Sequence, residues 1–294
     1  MIAKNKKAVV AVVTGGEGFI GSHLVAELQR RGYTVVVFDV KSDKNILDTR
    51  KLTKACAGAQ YVFHCAALPR VPYSIEHPQE TNEVNISGTL SVLVAAKEAG
   101  VARVVYSASS SAYGDQDIMP LQEDMSARPK SPYALQKYAG ELYCKLFSEI
   151  YQLPTVSLRY FNVYGPGASA EGAYALVIAK FIKQRLEGRP LTITGDGIQT
   201  RDFTHVRDVV HANFLAATSK KVGKGEVINI GAGKNASVAR IAELVGGPVE
   251  YIPPRLEPHD TLADNRLALK LLGWEPAISL ENGITELKKI AGLV

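Results

Sequence analysis

The run Val9–Val13, followed by Gly15, Gly18 and Gly21, constrains this chain more than any other segment. Consecutive apolar residues rich in β-branched side chains suit a strand buried on both faces, which needs no alternation of polar and apolar positions. Directly after it, three glycines at three-residue spacing lead into a helical pattern through Leu24, Val25 and Leu28 that stops at Gly32. Strand, glycine turn and helix in that order suit a dinucleotide. The first glycine permits a tight turn, the second lets backbone approach a pyrophosphate, and the helix N-terminus offers amide donors and the positive end of its dipole. A second run, Thr34–Phe38, ends in Asp39, whose carboxylate can accept hydrogen bonds from an adenosine ribose. The same charge repels a 2'-phosphate, so NAD is expected rather than NADP, although Lys41 and Lys44 lie nearby.

Further strand-like runs occur at Tyr61–Cys65, Val104–Ala108 and Thr155–Leu158, separated by helical stretches. Buried strands alternating with helices indicate an α/β fold with a doubly wound parallel sheet. After about Tyr164 the pattern changes to shorter elements: Gly165-Pro-Gly167, a helix near 175–187, a strand at Leu191–Thr194, a loop over Arg255–Asp264, and a helix from Asp264 to Leu272 stopped by Gly273. Residues 1–165 are expected to form the dinucleotide-binding domain, with 197–232 returning to it. Residues 166–294 should form mainly a smaller, interwoven substrate-binding lobe.

Composition narrows the function. The net charge of +5 is spread along the chain rather than gathered into blocks interleaved with aromatics, which argues against nucleic acid and suits a small anionic ligand. Lys4, Lys6 and Lys7 form the only local cluster and read as a basic tail. No apolar run reaches the roughly 18 residues that a membrane span needs, and the N-terminus lacks the pattern of a secretory signal, so no membrane partner and a cytoplasmic location are expected. Cys56, Cys65 and Cys144 have neither metal-ligand spacing nor an even count, and read as small buried residues with no metal site.

Tyr133 and Lys137 stand four apart in a helical segment, so they share a face and can address one small space. A free tyrosine has a pKa of roughly 10, and a neighbouring cation favours its phenolate. The same helix, Tyr133–Tyr151, carries two apolar stripes: Leu135, Ala139, Leu142, Leu146 and Ile150, then Tyr143, Phe147 and Tyr151. One stripe suffices to cover a sheet. The surplus implies a homodimer formed by this helix and its neighbour around Val84–Ala96.

Thr14–Gly21, His64-Cys-Ala-Ala67, Ser107-Ala-Ser-Ser-Ser-Ala-Tyr-Gly114, Tyr133–Lys137, Arg159–Pro166, Gly195–Phe203 and Leu272-Gly-Trp-Glu-Pro276 occur in order along essentially the whole chain. Together they resemble the extended short-chain dehydrogenases/reductases, with the Rossmann fold, and within them the nucleotide-sugar epimerases acting on the 4-position of UDP-glucose or UDP-N-acetylglucosamine. The resemblance implies that Ser109 hydrogen-bonds the sugar 4-oxygen, that Tyr133 is the acid/base, and that Lys137 holds the nicotinamide ribose and lowers the tyrosine pKa. Phe19, Ile20, Asn45, Ile46, Cys65, Ala66, Ala67, Asn85, Ser107, Tyr160 and Asn162 fall where family members meet NAD. Asn162, Val177, Thr192, Arg201, Arg255 and Thr261 fall where they hold a UDP-sugar, the arginines on its diphosphate.

Departures from the family pattern sharpen the reading. Glu17 replaces a small residue in the glycine turn, Asn45 stands where an Asp often reads adenine, Gln136 replaces the common Ser before the lysine, and the loop after Arg255 lacks the usual Pro-Gly. Ser110 and Ser111 occupy the positions where nucleotide-sugar 4,6-dehydratases carry an acidic pair, which argues against dehydration. Small Thr261, where a bulky aromatic tends to exclude N-acetyl sugars, implies room for them. Reduction of a 4-keto sugar by NAD(P)H, epimerisation of a UDP-uronate, and a redox-sensing module that binds the dinucleotide without turnover are the competing readings. His64 is read as structural, His205 and Asp208 as anchors of a loop to a helix, and Trp274 as core.

Overall fold

The computed structural model describes residues 8–170, 176–253 and 260–293. β1 (Val10–Thr14) leads through the glycine turn into α1 (Phe19–Arg30), followed by β2 (Thr34–Phe38), α2 (Thr49–Cys56) and β3 (Tyr61–His64). Next come α3 (Val71–Glu76), α4 (Pro78–Asn82), a wide π turn at Glu83–Ser87 and α5 (Gly88–Glu98), then β4 (Arg103–Ser109), α6 (Pro132–Tyr151) and β5 (Thr155–Tyr160). The remainder comprises β6 (Val163–Tyr164), α7 (Val177–Leu186), β7 (Leu191–Thr194), β8 (Thr200–Asp202), β9 (Thr204–His205), α8 (Val206–Thr218), β10 (Glu226–Ile230), β11 (Asn235–Ser237), α9 (Val238–Val245), β12 (Val249–Ile252), α10 (Arg266–Leu272) and α11 (Leu280–Ile290).

Six strands pair in parallel in the order β10-β5-β4-β3-β1-β2. Strand order reverses direction between β1 and β3, and in open sheets of this kind ligands bind outside the carboxyl ends of the strands at such a point. Both faces are covered, as the continuous apolar runs require. Ala11 and Val13 point into a core with Leu24 and Leu28 of α1 and Val209, Ala212 and Ala216 of α8. Val12 points the other way, into a core with Leu52 of α2, Val92 and Leu93 of α5, and Cys144 and Phe147 of α6. A third core gathers Tyr164, Phe181, Leu191, Ile193, Phe203, Ile241 and Ile284. Each fully buried Val, Leu or Phe contributes about 1.5–3 kcal/mol of transfer free energy. Trp274 is buried and donates its indole N–H to the carbonyl of Asp208 at 2.9 Å, while the Asp208 carboxylate accepts from the amides of Ala277 and Ile278 at 3.1 Å.

Two local expectations shift. The helix expected to start at Asp264 has Asn265 as its N-cap and opens at Arg266. The Asp264 carboxylate accepts instead from the amide and guanidinium of Arg266. Cys56 and Cys144 are buried, whereas Cys65 lies just past the end of β3 and is only half-buried.

Candidate active site

The glycine turn is fixed by close approach. A Cβ on Gly21 would lie 2.0 Å from the carbonyl oxygen of Gly15, and Gly15 itself, at φ +69°, would bring one to 2.6 Å from the amide of Ala66. No side chain fits at either place, so the turn leaves backbone open at the start of α1, where Phe19 and Ile20 form the first turn. Asp39 ends β2 with its carboxylate already accepting from the amides of Glu17 at 2.9 Å and Lys41 at 3.0 Å, which fixes it beside the turn with lone pairs to spare for a ribose diol. The Glu17 carboxylate accepts from Ser42 Oγ, and the ammoniums of Lys41 and Lys44 donate to the carbonyls of Glu17 and Val37. These charges thus have local partners. The cradle fits the adenosine diphosphate half of NAD, with the Asp39 carboxylate held beside it.

Asn45 closes its own turn, its Oδ1 accepting from the amide of Leu47 at 2.9 Å. Ile46 is buried, with its side chain against Gly88 of α5, so only its backbone faces outward. Ala66 and Ala67 follow β3, and the amide of Ala66 donates to Thr14 Oγ1. Beneath them His64 bridges Thr14 and Thr89 at 2.8 and 2.9 Å. Since Thr89 gives its own proton to the Asn85 carbonyl, it must accept from Nε2–H, which leaves Nδ1 to accept from Thr14. Burial first, and the Lys137 charge second, hold the His64 pKa down at about 3. His64 is therefore neutral and structural, as the sequence suggests. Its folded pKa lies below the unfolded value of about 6.5, so the stability it contributes is intact above that pH and is lost as pH falls towards 3. The urea midpoint of the wild type should drop between pH 7.5 and pH 4.5 by more than that of His64→Gln; an equal drop would contradict this origin.

Ser109 and Tyr133 meet where β4 ends against the first turn of α6. Ser131 caps that helix, accepting from the amide of Ala134, and Pro132 at the first position has no donor to satisfy. This local signature explains why the helix starts where it does and places Tyr133 in its first turn. The amide of Tyr133 is taken by buried Ser74 Oγ at 3.0 Å, a partner 59 residues away with no local mark in the chain. Lys137 is buried and donates to the Ser107 carbonyl at 2.9 Å, with its ammonium 5.0 Å from the Tyr106 ring. Ser109 Oγ accepts from the amide and hydroxyl of Ser111 at 3.2 and 2.9 Å, which leaves its own proton for the hydrogen bond with Tyr133.

Burial pushes the Tyr133 phenol up to about 12, opposed by the hydrogen bond with Ser109. Burial likewise lowers Lys137 to about 8. In both cases desolvation penalises the charged form, phenolate or ammonium. Beside this cluster the Tyr160 hydroxyl donates to Asn213 at 2.9 Å and lies 3.2 Å from Ser107 Oγ. Asn85 is buried and holds the backbone of Leu68, and Cys65 receives the Ser107 hydroxyl at 3.4 Å. Each of these four is bonded to neighbouring protein groups.

Of the residues expected to hold a substrate, Asn162 gives its carbonyl to the amide of Thr204, which brings it beside β8 and β9. Arg201 on β8 is buried and donates to the carbonyl of Thr200, and Thr261 Oγ1 accepts from the next amide, Asp202, at 3.2 Å. Asp202 organises this corner, its carboxylate accepting from the amides of Ala232, Gly233 and Ala263 while burial raises it to about 6. Val177 opens α7, and Thr192 on β7 is tied to that helix through Gln184. Arg255 lies outside the described residues, as do Lys4, Lys6 and Lys7. His205 caps α8 by accepting from the amide of Arg207, and Asp208 holds the Ala277–Ile278 backbone, so both serve as anchors.

Residues 11–231 match the model of the NAD dependent epimerase/dehydratase family. The chain belongs to this family. UDP-glucose 4-epimerase of Mycolicibacterium smegmatis is 36% identical over 304 residues, spanning 94% of this chain and 96% of that one. The structure of UDP-N-acetylglucosamine 4-epimerase from Methanobrevibacter ruminantium, in complex with UDP-N-acetylmuramic acid, is similar at a TM-score of 0.92 and 36% identity, covering 98% of this chain and 100% of that one. UDP-glucuronic acid 4-epimerase from Bacillus cereus, in complex with UDP-glucuronic acid and NAD, gives a TM-score of 0.87 at 33% identity, with 97% and 99% covered. The six-stranded parallel sheet and the glycine cradle are thus those of an NAD-dependent epimerase fold, and no helix among the described residues is long and apolar enough to cross a membrane.

Proposed function

We propose that the protein interconverts UDP-hexoses at C4 through a transient 4-keto sugar, with UDP-glucose and UDP-galactose as substrates and room for their N-acetylated counterparts. The observation that carries this reading is the hydrogen bond between Ser109 and Tyr133, with Lys137 one helical turn on and held by the Ser107 carbonyl, beside Ser110 and Ser111, which carry hydroxyls where a dehydratase needs carboxylates. NAD+, held by the glycine cradle, would supply a hydride acceptor and a positive charge that favours the phenolate. Ser109 donates to the sugar 4-oxygen, Tyr133 takes the 4-hydroxyl proton and later returns it, and Lys137 holds the nicotinamide ribose while anchored on the Ser107 carbonyl. Return of hydride to the other face requires a loosely held sugar on firmly held UDP, which assigns Asn162, Val177, Thr192, Arg201 and Arg255 to anchoring. Thr261, adjacent to Arg201 and small, supports acceptance of the N-acetyl group. UDP-glucuronate is the second reading, favoured by the similarity to a UDP-glucuronic acid 4-epimerase.

Incubation with UDP-galactose, UDP-N-acetylgalactosamine and UDP-glucuronate, without added cofactor, separates these readings. Product from the first two is expected; product from UDP-glucuronate alone favours the uronate enzyme, and turnover only with added NADH favours a 4-keto sugar reductase. A homodimer belongs to the same proposal. Leu135, Leu142, Leu146 and Ile150 of α6 are 46–63% exposed, while Phe147 on the other stripe is buried. A second copy packing α5 and α6 against the same helices would cover that stripe. Light scattering at micromolar concentration should give twice the chain mass, and a monomer would refute the dimer.

A further inference from the structure

Gln136 departs from the family pattern, and the structure gives it work of its own. It sits between Tyr133 and Lys137 on α6 and is only 2% exposed. Its Oε1 accepts from Asn85 Nδ2 at 2.8 Å, and its Nε2 donates to Thr81 Oγ1 at 3.0 Å. Asn85, inside the π turn, accepts from the Leu68 amide at 2.8 Å and donates to the Leu68 carbonyl at 3.1 Å, while Thr81 passes its proton to the His77 carbonyl at 3.0 Å. The chain of bonds therefore runs from the loop after β3, through two buried amides, to α4.

This network has one consistent orientation. Turning the Gln136 amide over would set its NH2 against that of Asn85, and turning Asn85 over as well would set NH2 against the Leu68 amide. Each reversed arrangement leaves buried donors facing one another without acceptors, which is costly where water cannot reach. A serine at 136 is too short to span from Asn85 to Thr81. We propose that Gln136 is a positioning residue that sets the register of the first turn of α6 against the Ala66–Leu68 loop, fixing Tyr133 and Lys137 relative to the nicotinamide side of the cofactor cradle. This rests on the function proposed above for Tyr133 and Lys137.

The test uses the holoenzyme. Gln136→Leu keeps the volume and removes both bonds; kcat should fall by about ten- to a hundredfold, as for a small misplacement of reacting groups. KM for the UDP-sugar should stay within about twofold, because the UDP anchors lie elsewhere. The pH dependence of kcat should shift as the tyrosine moves. Thr81→Val should give a smaller loss in the same direction, and Thr81→Ser should recover most of it. Hydrogen exchange provides a readout apart from turnover: in Gln136→Leu and Thr81→Val the amide of Leu68, on the far side of Asn85, should exchange faster than in the wild type. Unchanged kcat, pH profile and Leu68 exchange in a folded variant would overturn the proposal, as would a fall in thermal stability with all three unchanged. If Gln136→Leu fails to fold, Thr81→Val decides on the same readouts. A wild type inactive on every UDP-sugar would refute the epimerase reading, whereas Leu68 exchange would still report whether Gln136 couples the two segments.

Discussion

Tyr133→Phe should reduce kcat by about 10²- to 10⁴-fold, the range that a positioned general acid/base contributes. The substitution removes one hydroxyl from a half-buried ring in the first turn of α6 and leaves the backbone amide bonded to Ser74, so the helix start and the cofactor cradle should be retained. Bound NAD content should therefore match the wild type. The protein by itself favours the neutral phenol, since burial lifts its pKa to about 12. Wild-type kcat should consequently rise with pH up to about 8, where Lys137 begins to lose its charge, and the residual activity of the variant should lack that rise. Full epimerase activity in Tyr133→Phe, or an unaltered pH dependence, would remove Tyr133 from the chemistry.

Glu141→Leu should destabilise the fold by about 3–5 kcal/mol, as expected when one partner of a buried ion pair is removed. Glu141 lies four residues beyond Lys137 on the same face of α6 and receives Arg159 of β5 at two points, Nε at 2.9 Å and Nη2 at 2.7 Å. Both side chains are almost wholly buried, and the guanidinium lies 4.5 Å from the centre of the Tyr113 ring. Arg159 Nη1 has no hydrogen-bond partner among the described residues, so loss of the carboxylate leaves a desolvated cation with little to compensate it. The melting temperature should drop by on the order of 10 °C. The pair with Arg159→Met should restore much of the loss, because apolar groups of similar volume often replace a buried ion pair at little cost. If the double variant melts no higher than Glu141→Leu, the unpaired arginine is not the cause.

The parts of the fold that were legible share a short reach. Strands at Thr34–Phe38 and Leu191–Thr194 have the bounds expected from sequence, because a β-branched run between turn residues has few other ways to bury itself. The glycine turn was legible for the same reason: its closest approach, Gly21 on Gly15, lies within one turn of chain. The start of α10 was misplaced because Asp264 hydrogen-bonds Arg266 instead of capping, a choice between two local partners that spacing does not decide.

The supports of the site were hidden for a different reason. Ser74 reaches Tyr133 across 59 residues, Gln136 reaches Asn85 across 51, and Arg103 closes the carbonyl end of α8 at Ala216 and Ser219 from more than 100 residues away. A serine, an amide or an arginine carries no local mark of such a partner, since its bond forms only after the sheet has brought distant segments together. By itself the sequence determined the alternation of elements, the dinucleotide turn with Asp39 beside it, and the family to which the motifs around Ser109, Tyr133 and Lys137 belong, because each is set by periodicity or spacing within a few residues or by ordered family motifs. Tertiary structure alone decided which buried polar groups hold those residues in place and what protonation state they favour, because both depend on desolvation and on partners that packing supplies.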